Sequence, residues 1–134
     1  MIAPAYVDVV GGLVGWTHAN VPGVMRVFTE APANLADVLP AVRVGPESGS
    51  GDAAFGLDAA VVDFDCFAVD YAAARDLAGR LRTALRFTLP GQQVSGAWVT
   101  AVDTASRPHE LGWDNTNLRR VGFSVDIYLY LPSS

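Results

Sequence analysis

The fold is decided by residues 60–87, AVVDFDCFAVDYAAARDLAGRLRTALRF, where a two-residue periodicity gives way to a helical one. From Ala60 to Val69 the residue types alternate, which is the spacing of side chains on the two faces of a β-strand. One face carries Val62, Phe64, Cys66 and Ala68, and the other carries Val61, Asp63, Asp65, Phe67 and Val69. The stretch predicts a strand with one apolar face and one mixed face.

A helix is predicted to follow directly, over Tyr71 to Phe87, with Asp70 as its N-cap. Apolar residues recur at three- and four-residue spacing and form one stripe. The stripe consists of Ala73, Ala74, Leu77, Ala78, Leu81, Ala84 and Leu85. Arg82 and Arg86 lie near the C-terminus, where the helix dipole favours cations, and the sequence Leu89-Pro90-Gly91 ends the helix.

The end of the chain predicts a second clear strand, which Pro132 terminates. Its apolar residues fall on every second position: Val121, Phe123, Val125, Ile127, Leu129 and Leu131. The opposite face is mixed, with glycine, serine, aspartate and tyrosine. A half-buried strand of this kind is typical of an antiparallel sheet with one face on the core.

The remaining elements are shorter or less regular. A glycine-containing helix is predicted over Tyr6 to Ala19, and short strands over Val24 to Thr29, Ala41 to Val44 and Ala97 to Val102. Glycine, serine and proline predict a long flexible loop at about 45–59, and a polar loop is predicted from Asp103 to Asn117. The fold class is therefore α+β: a mostly antiparallel sheet of about four or five strands, with helices packed on one face, in a single domain over 1–134.

Composition limits the possible functions. Hydrophobic residues make up 51% of the chain and charged residues only 17%, which permits oligomerisation, although the many alanines also raise the first figure. The net charge of −5 argues against nucleic-acid binding through phosphates. Neither a signal peptide nor an apolar run of membrane-spanning length is recognisable, so we expect assembly in a cytoplasm and no membrane partner.

Few residues suggest chemistry. His18 and His109 are far apart, and the single cysteine, Cys66, cannot complete a zinc site. The glycine-rich stretch 49–54 matches a dinucleotide fingerprint only on paper, because no helix is predicted to begin there. No metal or cofactor is expected, and the chain is not expected to be an enzyme.

Asp63, Asp65 and Trp113 remain open to two interpretations. Two carboxylates on one strand face could perform acid–base work, or they could pair with arginines on neighbouring strands or subunits. We favour the second interpretation. Trp113 begins the sequence Trp113-Asp114-Asn115, which we interpret as a turn with an aromatic anchor.

Several of these stretches, taken in order, resemble the tail terminator family of siphophages, also called tail-completion proteins. The matching stretches are Val24 to Glu30, Leu39 to Gly45, Val61 to Phe67, Ala72 to Leu85 and Arg119 to Val125. The order and spacing of the elements carry the resemblance, which spans most of the chain. Gly45-Pro46-Glu47 departs from the paired glycine that we expect of the family after the second stretch.

The resemblance implies a structural virion protein at the head-proximal end of the tail, which caps the tail tube and ends its polymerisation. It implies a homo-oligomeric ring, a hexamer in this family, with the tail-tube protein and a head-closure or connector protein as partners. Closed rings need two different complementary patches on each subunit. The candidate interface residues are Pro46, Glu47, Asp52, Asp63, Asp65, Arg107, Trp113, Arg119 and Arg120.

Other functions stay open at this point. The nearest alternative is another neck component, such as a head-closure or connector-associated subunit, which the gene neighbourhood would distinguish. A small-molecule-binding α+β domain is a further alternative, and a ligand screen by thermal shift would detect it.

Overall fold

The computed structural model describes residues 7–52, 57–115 and 117–130, which form two α-helices and a six-stranded sheet. In chain order the elements are α1 Val9–Asn20, β1 Arg26–Phe28, β2 Ala41–Asp52, β3 Leu57–Ala68, α2 Tyr71–Phe87, β4 Gln93–Val94, β5 Ala97–Leu111 and β6 Arg119–Tyr130. A single 3-10 turn, Leu35–Asp37, lies between β1 and β2.

The strands are arranged in the order β1-β2-β3-β6-β5-β4. β1 pairs with β2 in parallel, and every other pair is antiparallel. The predicted α+β class is confirmed, but the sheet is mixed and has six strands rather than four or five. The additional strand is β4 at one edge, which has only two residues and is too short for an alternating pattern to show. β1, at the other edge, was predicted over Val24 to Thr29 and spans only Arg26–Phe28.

β3 and β6 form the centre of the sheet and pair along their whole length, from Leu57 opposite Tyr130 to Ala68 opposite Arg119. Phe64 lies directly across from Phe123, and their rings stack with centroids 5.3 Å apart. The alternation predicted for both strands is confirmed in the described residues, whereas Leu131 and Pro132 lie outside them. One slip in this register would turn every side chain to the wrong face.

Both helices contribute to the larger hydrophobic core, on what we call the helix-covered face of the sheet. α2 has the predicted bounds, and the Asp70 carboxylate accepts a hydrogen bond from the Ala73 amide at 2.8 Å. The sheet contributes alternate residues to this core: Val42, Val44, Val62, Phe64, Cys66, Val121, Phe123, Val125, Ile127 and Leu129. α2 buries five residues of its predicted stripe, whereas Ala73 is exposed. Burial of the α2 stripe supplies most of the helix stability.

α1 holds the curled sheet together, because it contacts both β2 and β4, which lie towards opposite edges. Gly12 makes the contact with β4 possible, since a Cβ there would lie 2.5 Å from Cγ1 of Val94. Trp16 is buried and donates from Nε1 to Oε1 of Gln92 at 2.6 Å. The predicted start of this helix, Tyr6, lies outside the described residues.

The other side of the sheet, which we call the open face, is covered only at one end. A smaller core lies there, where the segment before β2 packs on the sheet. It contains Phe28, Leu35, Ala41, Phe67 and Leu118, with Val38, Leu39 and Trp113 packed against it. The rest of the open face carries alternate residues of β3, β5 and β6.

The prediction of a long flexible loop at about 45–59 is wrong for the described residues. β2 continues to Asp52 and pairs with β3 from Leu57, while residues 53–56 lie outside the described part of the chain. The pairing shifts register between Val44 and Glu47 and again between Gly49 and Gly51. Proline and glycine, which predicted a loop, lie at these irregularities, where a strand tolerates them.

The prediction of a polar loop from Asp103 to Asn117 is also mostly wrong, because β5 extends to Leu111. β4 pairs only with Ala97 and Trp98, so the rest of β5 has no strand pairing on its outer side among the described residues. Its pairing with β6 shifts register at three places. Because β5 is exposed and its pairing is irregular, its sequence lacks the apolar alternation by which a strand is recognised.

Replacing Phe123 with aspartate tests the assignment of the core face. Phe123 is 2% exposed and packs on Phe64, so we expect Phe123→Asp to lower the free energy of unfolding by about 4 kcal/mol or more. Tyr130→Asp, on the same strand but 43% exposed, should cost about 1 kcal/mol or less. Similar thermal midpoints for the two variants in circular dichroism melts would contradict the assignment.

Candidate functional site

A cluster of charged residues lies on the open face, next to the smaller core. Arg43 of β2 is directly opposite Asp65 of β3, and Arg120 of β6 approaches the same carboxylate from the other side. All three strands place these residues on the open face because their neighbours in sequence point into the larger core. Together with Trp113 we call them the Asp65 cluster.

The two guanidinium groups share Oδ2 of the Asp65 carboxylate, and Arg120 also approaches Oδ1. Arg43 donates from Nε to Oδ2 at 2.9 Å and from Nη2 to the same oxygen. Arg120 donates from Nη2 to Oδ2 at 3.1 Å, and its Nε lies 2.9 Å from Oδ1. Planar guanidinium groups are suited to such two-point contacts with a carboxylate.

Gly122 makes room for this arrangement. It lies directly across from Asp65 in the β3–β6 ladder. A Cβ at this position would lie 2.9 Å from Oδ1 of Asp65 and 2.5 Å from Cδ1 of Leu111. A side chain at position 122 would therefore displace the carboxylate that Arg120 reaches.

Trp113 covers the cluster from the segment between β5 and β6. Its ring lies 5.8 Å from Cζ of Arg43 and 5.5 Å from Cζ of Arg120, within the range of cation–π contacts. The ring also meets Phe67 edge to face, with centroids 4.9 Å apart. Trp113 thus joins the ion cluster to the smaller core.

Burial makes the cluster energetically important. Asp65 is 4% exposed, and the side chains of Arg43 and Arg120 are about one fifth exposed. A buried carboxylate is costly unless it is paired and hydrogen-bonded, and here two cations from neighbouring strands meet that requirement. The cluster therefore ties β2, β3 and β6 together on the face that no helix covers.

The two aspartates of β3 have different environments. Asp65 pairs with arginines on neighbouring strands, as favoured from the sequence. Asp63 is half-buried and accepts a hydrogen bond from Oγ of Ser124 at 2.6 Å. A cavity of about 180 Å³ lies between them, lined by Arg43, Pro46, Asp63, Phe64, Asp65, His109, Leu111, Arg120, Gly122, Phe123 and Ser124.

Five of the nine candidate interface residues meet at this place: Pro46, Asp63, Asp65, Trp113 and Arg120. The other four are dispersed over the molecule. Arg119 lies over the Tyr71 ring of α2 at 5.7 Å, and Arg107 is exposed on β5. Glu47 is half-buried on β2, and the side chain of Asp52, at the end of that strand, lies outside the described part.

Arg43 and Gly122 belong to the site and were not among the predicted residues. The alternation Ala41-Val42-Arg43-Val44 places Arg43 on the face opposite the core, which was the available signal. The residue that Arg43 pairs with on that face could not be predicted from the sequence, because it depends on the register between β2, β3 and β6.

Cys66 lies fully buried beside the cluster, on the helix-covered face. Burial raises the pKa of the Cys66 thiol, and the nearby Asp65 carboxylate raises this pKa further. Because the thiolate is the reactive form, this environment keeps the cysteine unreactive.

In the described ranges 7–52, 57–115 and 117–130, no three histidine, cysteine, aspartate or glutamate side chains come together as a metal site would require. No helix in the same ranges combines the length and apolar character needed to cross a bilayer.

Comparison with known proteins gives a likeness of fold. No family model and no curated protein matches the chain. Among solved structures, a chain from the virion of a native gene transfer agent (GTA) particle is similar, with a TM-score of 0.62. The alignment covers 91% of this chain and 97% of the other at 16% identity, so the two chains share a fold over nearly their whole length.

Removing the shared carboxylate should destabilise the protein. We expect Asp65→Ala to lower the free energy of unfolding by about 3 kcal/mol, because two half-buried guanidinium groups lose their counter-charge. Asp63→Ala removes one hydrogen bond and should cost about 1 kcal/mol. Replacing the whole ion cluster by Arg43→Met, Asp65→Leu and Arg120→Met should recover much of the loss. Urea titrations that give equal losses for Asp65→Ala and Asp63→Ala would contradict the role of the cluster.

Thiol labelling tests the environment of Cys66. The raised pKa means that the thiol stays protonated in the native state, so labelling by a disulfide reagent should stay slow as the pH rises from about 7 to about 9. Unfolding in denaturant should make the same thiol react fully. Rapid labelling of the native protein that increases with pH would show that the thiol is accessible.

Proposed function

We propose that this chain is a structural virion subunit that caps a phage tail tube as a ring, ends polymerisation of the tube and forms the surface for head–tail joining. The observation that carries the proposal is the fold shared with a chain of the gene transfer agent particle over 91% of the residues. The resemblance of the sequence to tail terminators supplies the more specific role.

The surfaces of the subunit support assembly into a ring. A ring closes through heterologous contacts, which need two different patches on each copy. Here one side of the sheet carries two helices, while much of the other side is uncovered. Exposed large apolar side chains occur at Met25, Val69, Phe87, Trp98 and Tyr130, and burial of such side chains is a usual source of association energy.

The partners proposed for the two ends of the ring are the tail-tube protein and a head-closure or connector protein. The structure changes which elements would meet them, since residues 46–52 and 107–111 belong to strands rather than to loops. We assign the docking role to the adjacent ends of β2 and β3, where Asp52 lies opposite Asp58, and to residues 112–115, which the Asp65 cluster anchors through Trp113. The net charge of −5 suits a ring through which DNA passes without binding.

Deletion of the gene tests the terminator function. Without the protein, the exposed end of the last tube ring stays available, so tails should grow beyond their normal length and fail to join heads. Electron microscopy of the resulting particles gives both readouts, and the wild-type gene supplied in trans should restore normal length.

A folded variant supplies the matched control for this experiment. Asp37→Arg alters an exposed residue between β1 and β2 and should complement the deletion as well as the wild type does. Tails of normal length that lack heads in the deletion strain would overturn the terminator role and favour a head-closure subunit instead.

A further inference from the structure

Two carboxylates on the open face have no counter-charge among the residues that the structure describes. Asp103 of β5 lies directly opposite Asp126 of β6, on the uncovered half of that face. Like charges in this position destabilise a sheet. Neither carboxylate has an ion pair within the described ranges, and the nearby Asp63 adds a third negative charge on the same face.

Two arginines on α2 have no negatively charged partner among the described residues. Arg75 and Arg80 pair with Glu110 and Asp76, whereas Arg82 and Arg86 have no carboxylate partner among the residues the structure describes. Arg82 donates from Nε to Oγ1 of Thr104 at 2.8 Å.

Arg86 is the less satisfied of the two. Its guanidinium lies over the Phe87 ring, with Cζ 5.1 Å from the centroid. Its Nε is buried and makes no hydrogen bond to any described residue. Arg86 is only partly buried as a residue, so a carboxylate brought to this end of α2 can pair with its guanidinium.

The two pairs match in spacing as well as in charge. Residues directly opposite each other on an antiparallel sheet have Cβ atoms about 4.5–5.5 Å apart. Residues four apart on a helix, as Arg82 and Arg86 are, have Cβ atoms about 5–6 Å apart. A helix lying on the sheet of another molecule could thus form both arginine–aspartate pairs at once.

Further surface features lie on the same elements as the two pairs. Trp98 and Tyr130, which are 41% and 43% exposed, face each other across β5 and β6 on the same face of the sheet as Asp103 and Asp126. α2 carries a shallow groove of about 560 Å³ on its outer surface, where nothing lies within 4 Å of a Cβ built on Gly79. The groove is lined by Asp76, Gly79, Arg80, Thr83, Ala84 and Thr88. An aromatic side chain of a neighbour can enter it beside the Arg80 guanidinium.

We propose that α2 of one copy docks on the uncovered half of the open face of a second copy, with Arg82 and Arg86 against Asp103 and Asp126. The two surfaces lie on opposite sides of the same sheet, so they cannot meet within one chain. The contact is head to tail, and repetition generates a ring when its rotation closes. It deepens the proposed function and rests on it for the closure of the ring.

Disulfide crosslinking tests the contact directly. The full-length chain with Thr83→Cys on α2 and Ala101→Cys on β5, both exposed positions, is expressed in the deletion strain and oxidised. We expect a ladder of disulfide-linked multimers on a non-reducing gel, since the two cysteines can meet only between copies. Thr83→Cys with Asp37→Cys keeps the helix cysteine, moves the other off the proposed surface, and should give no ladder. Absence of a ladder from the first pair would overturn the proposal.

Charge exchange provides a second measurement. Asp103→Arg with Asp126→Arg, and separately Arg82→Asp with Arg86→Asp, should each abolish wild-type complementation while keeping a native melting transition. Co-expression of the two variants should restore it, because each then offers the complement of the other. The control Glu30→Arg with Asp37→Arg makes the same change of charge at exposed positions elsewhere and should complement fully. The contact would be overturned if either charge-exchanged variant alone complemented the deletion fully, or if the two variants together failed to complement it.

The two proposals fail in different ways. A ladder together with tails of normal length in the deletion strain would leave the contact standing and remove the terminator function. Over-long tails without a ladder would leave the terminator function standing and remove the contact.

Discussion

The register between β3 and β6 is the constraint on which the rest of the structure depends. Every residue from Leu57 to Ala68 has a partner in β6, without a bulge. This single alignment places Phe64 against Phe123 in the larger core and Asp65 opposite Gly122 on the open face. A slip of one residue would put the Asp65 carboxylate into the helix-covered core and the phenylalanines into solvent. Both faces therefore select the same register, which explains how a strand with a buried charge can be the central strand of the sheet.

Those parts of the fold that follow a regular period were predictable from the sequence. α2 has an N-cap and an apolar stripe, and β6 alternates over its whole length, so local pattern and tertiary packing agree. β2 and β5 differ because their pairing is irregular. Pro46 and Gly51 lie at the register shifts of β2, and Pro108 lies within a shift of β5. At such positions the residues that mark a loop also occur within a strand, and only the partner strand distinguishes the two cases.

The candidate site was predictable in kind but not in detail. Alternation placed Asp65 on the mixed face, and arginine partners were the favoured interpretation. The identity of these partners depends on contacts far apart in sequence, since Arg43 is 22 residues and Arg120 55 residues from Asp65. Asp63 occupies the same strand face and yet makes a different contact. The residue across the ladder explains the difference, because Gly122 leaves room for a carboxylate between two guanidinium groups, whereas Ser124 offers a hydroxyl to Asp63.

The distribution of charge divides the open face into two halves with different requirements. At one end, Arg43 and Arg120 neutralise Asp65, and Trp113 shields the pairs, so that end is satisfied within one chain. At the other end, the acidic residues of β5 and β6 lie opposite each other beside exposed aromatic rings. Charged residues are only 17% of the chain, so compensating cations are scarce. Two of the arginines without a carboxylate partner among the described residues, Arg82 and Arg86, lie on α2, across the sheet. A monomer can tolerate this separation because water screens exposed charges. The same separation favours association, because one contact can neutralise the acidic half and cover its aromatic rings. The other half needs no such contact, since the Asp65 cluster fixes Trp113 within one chain.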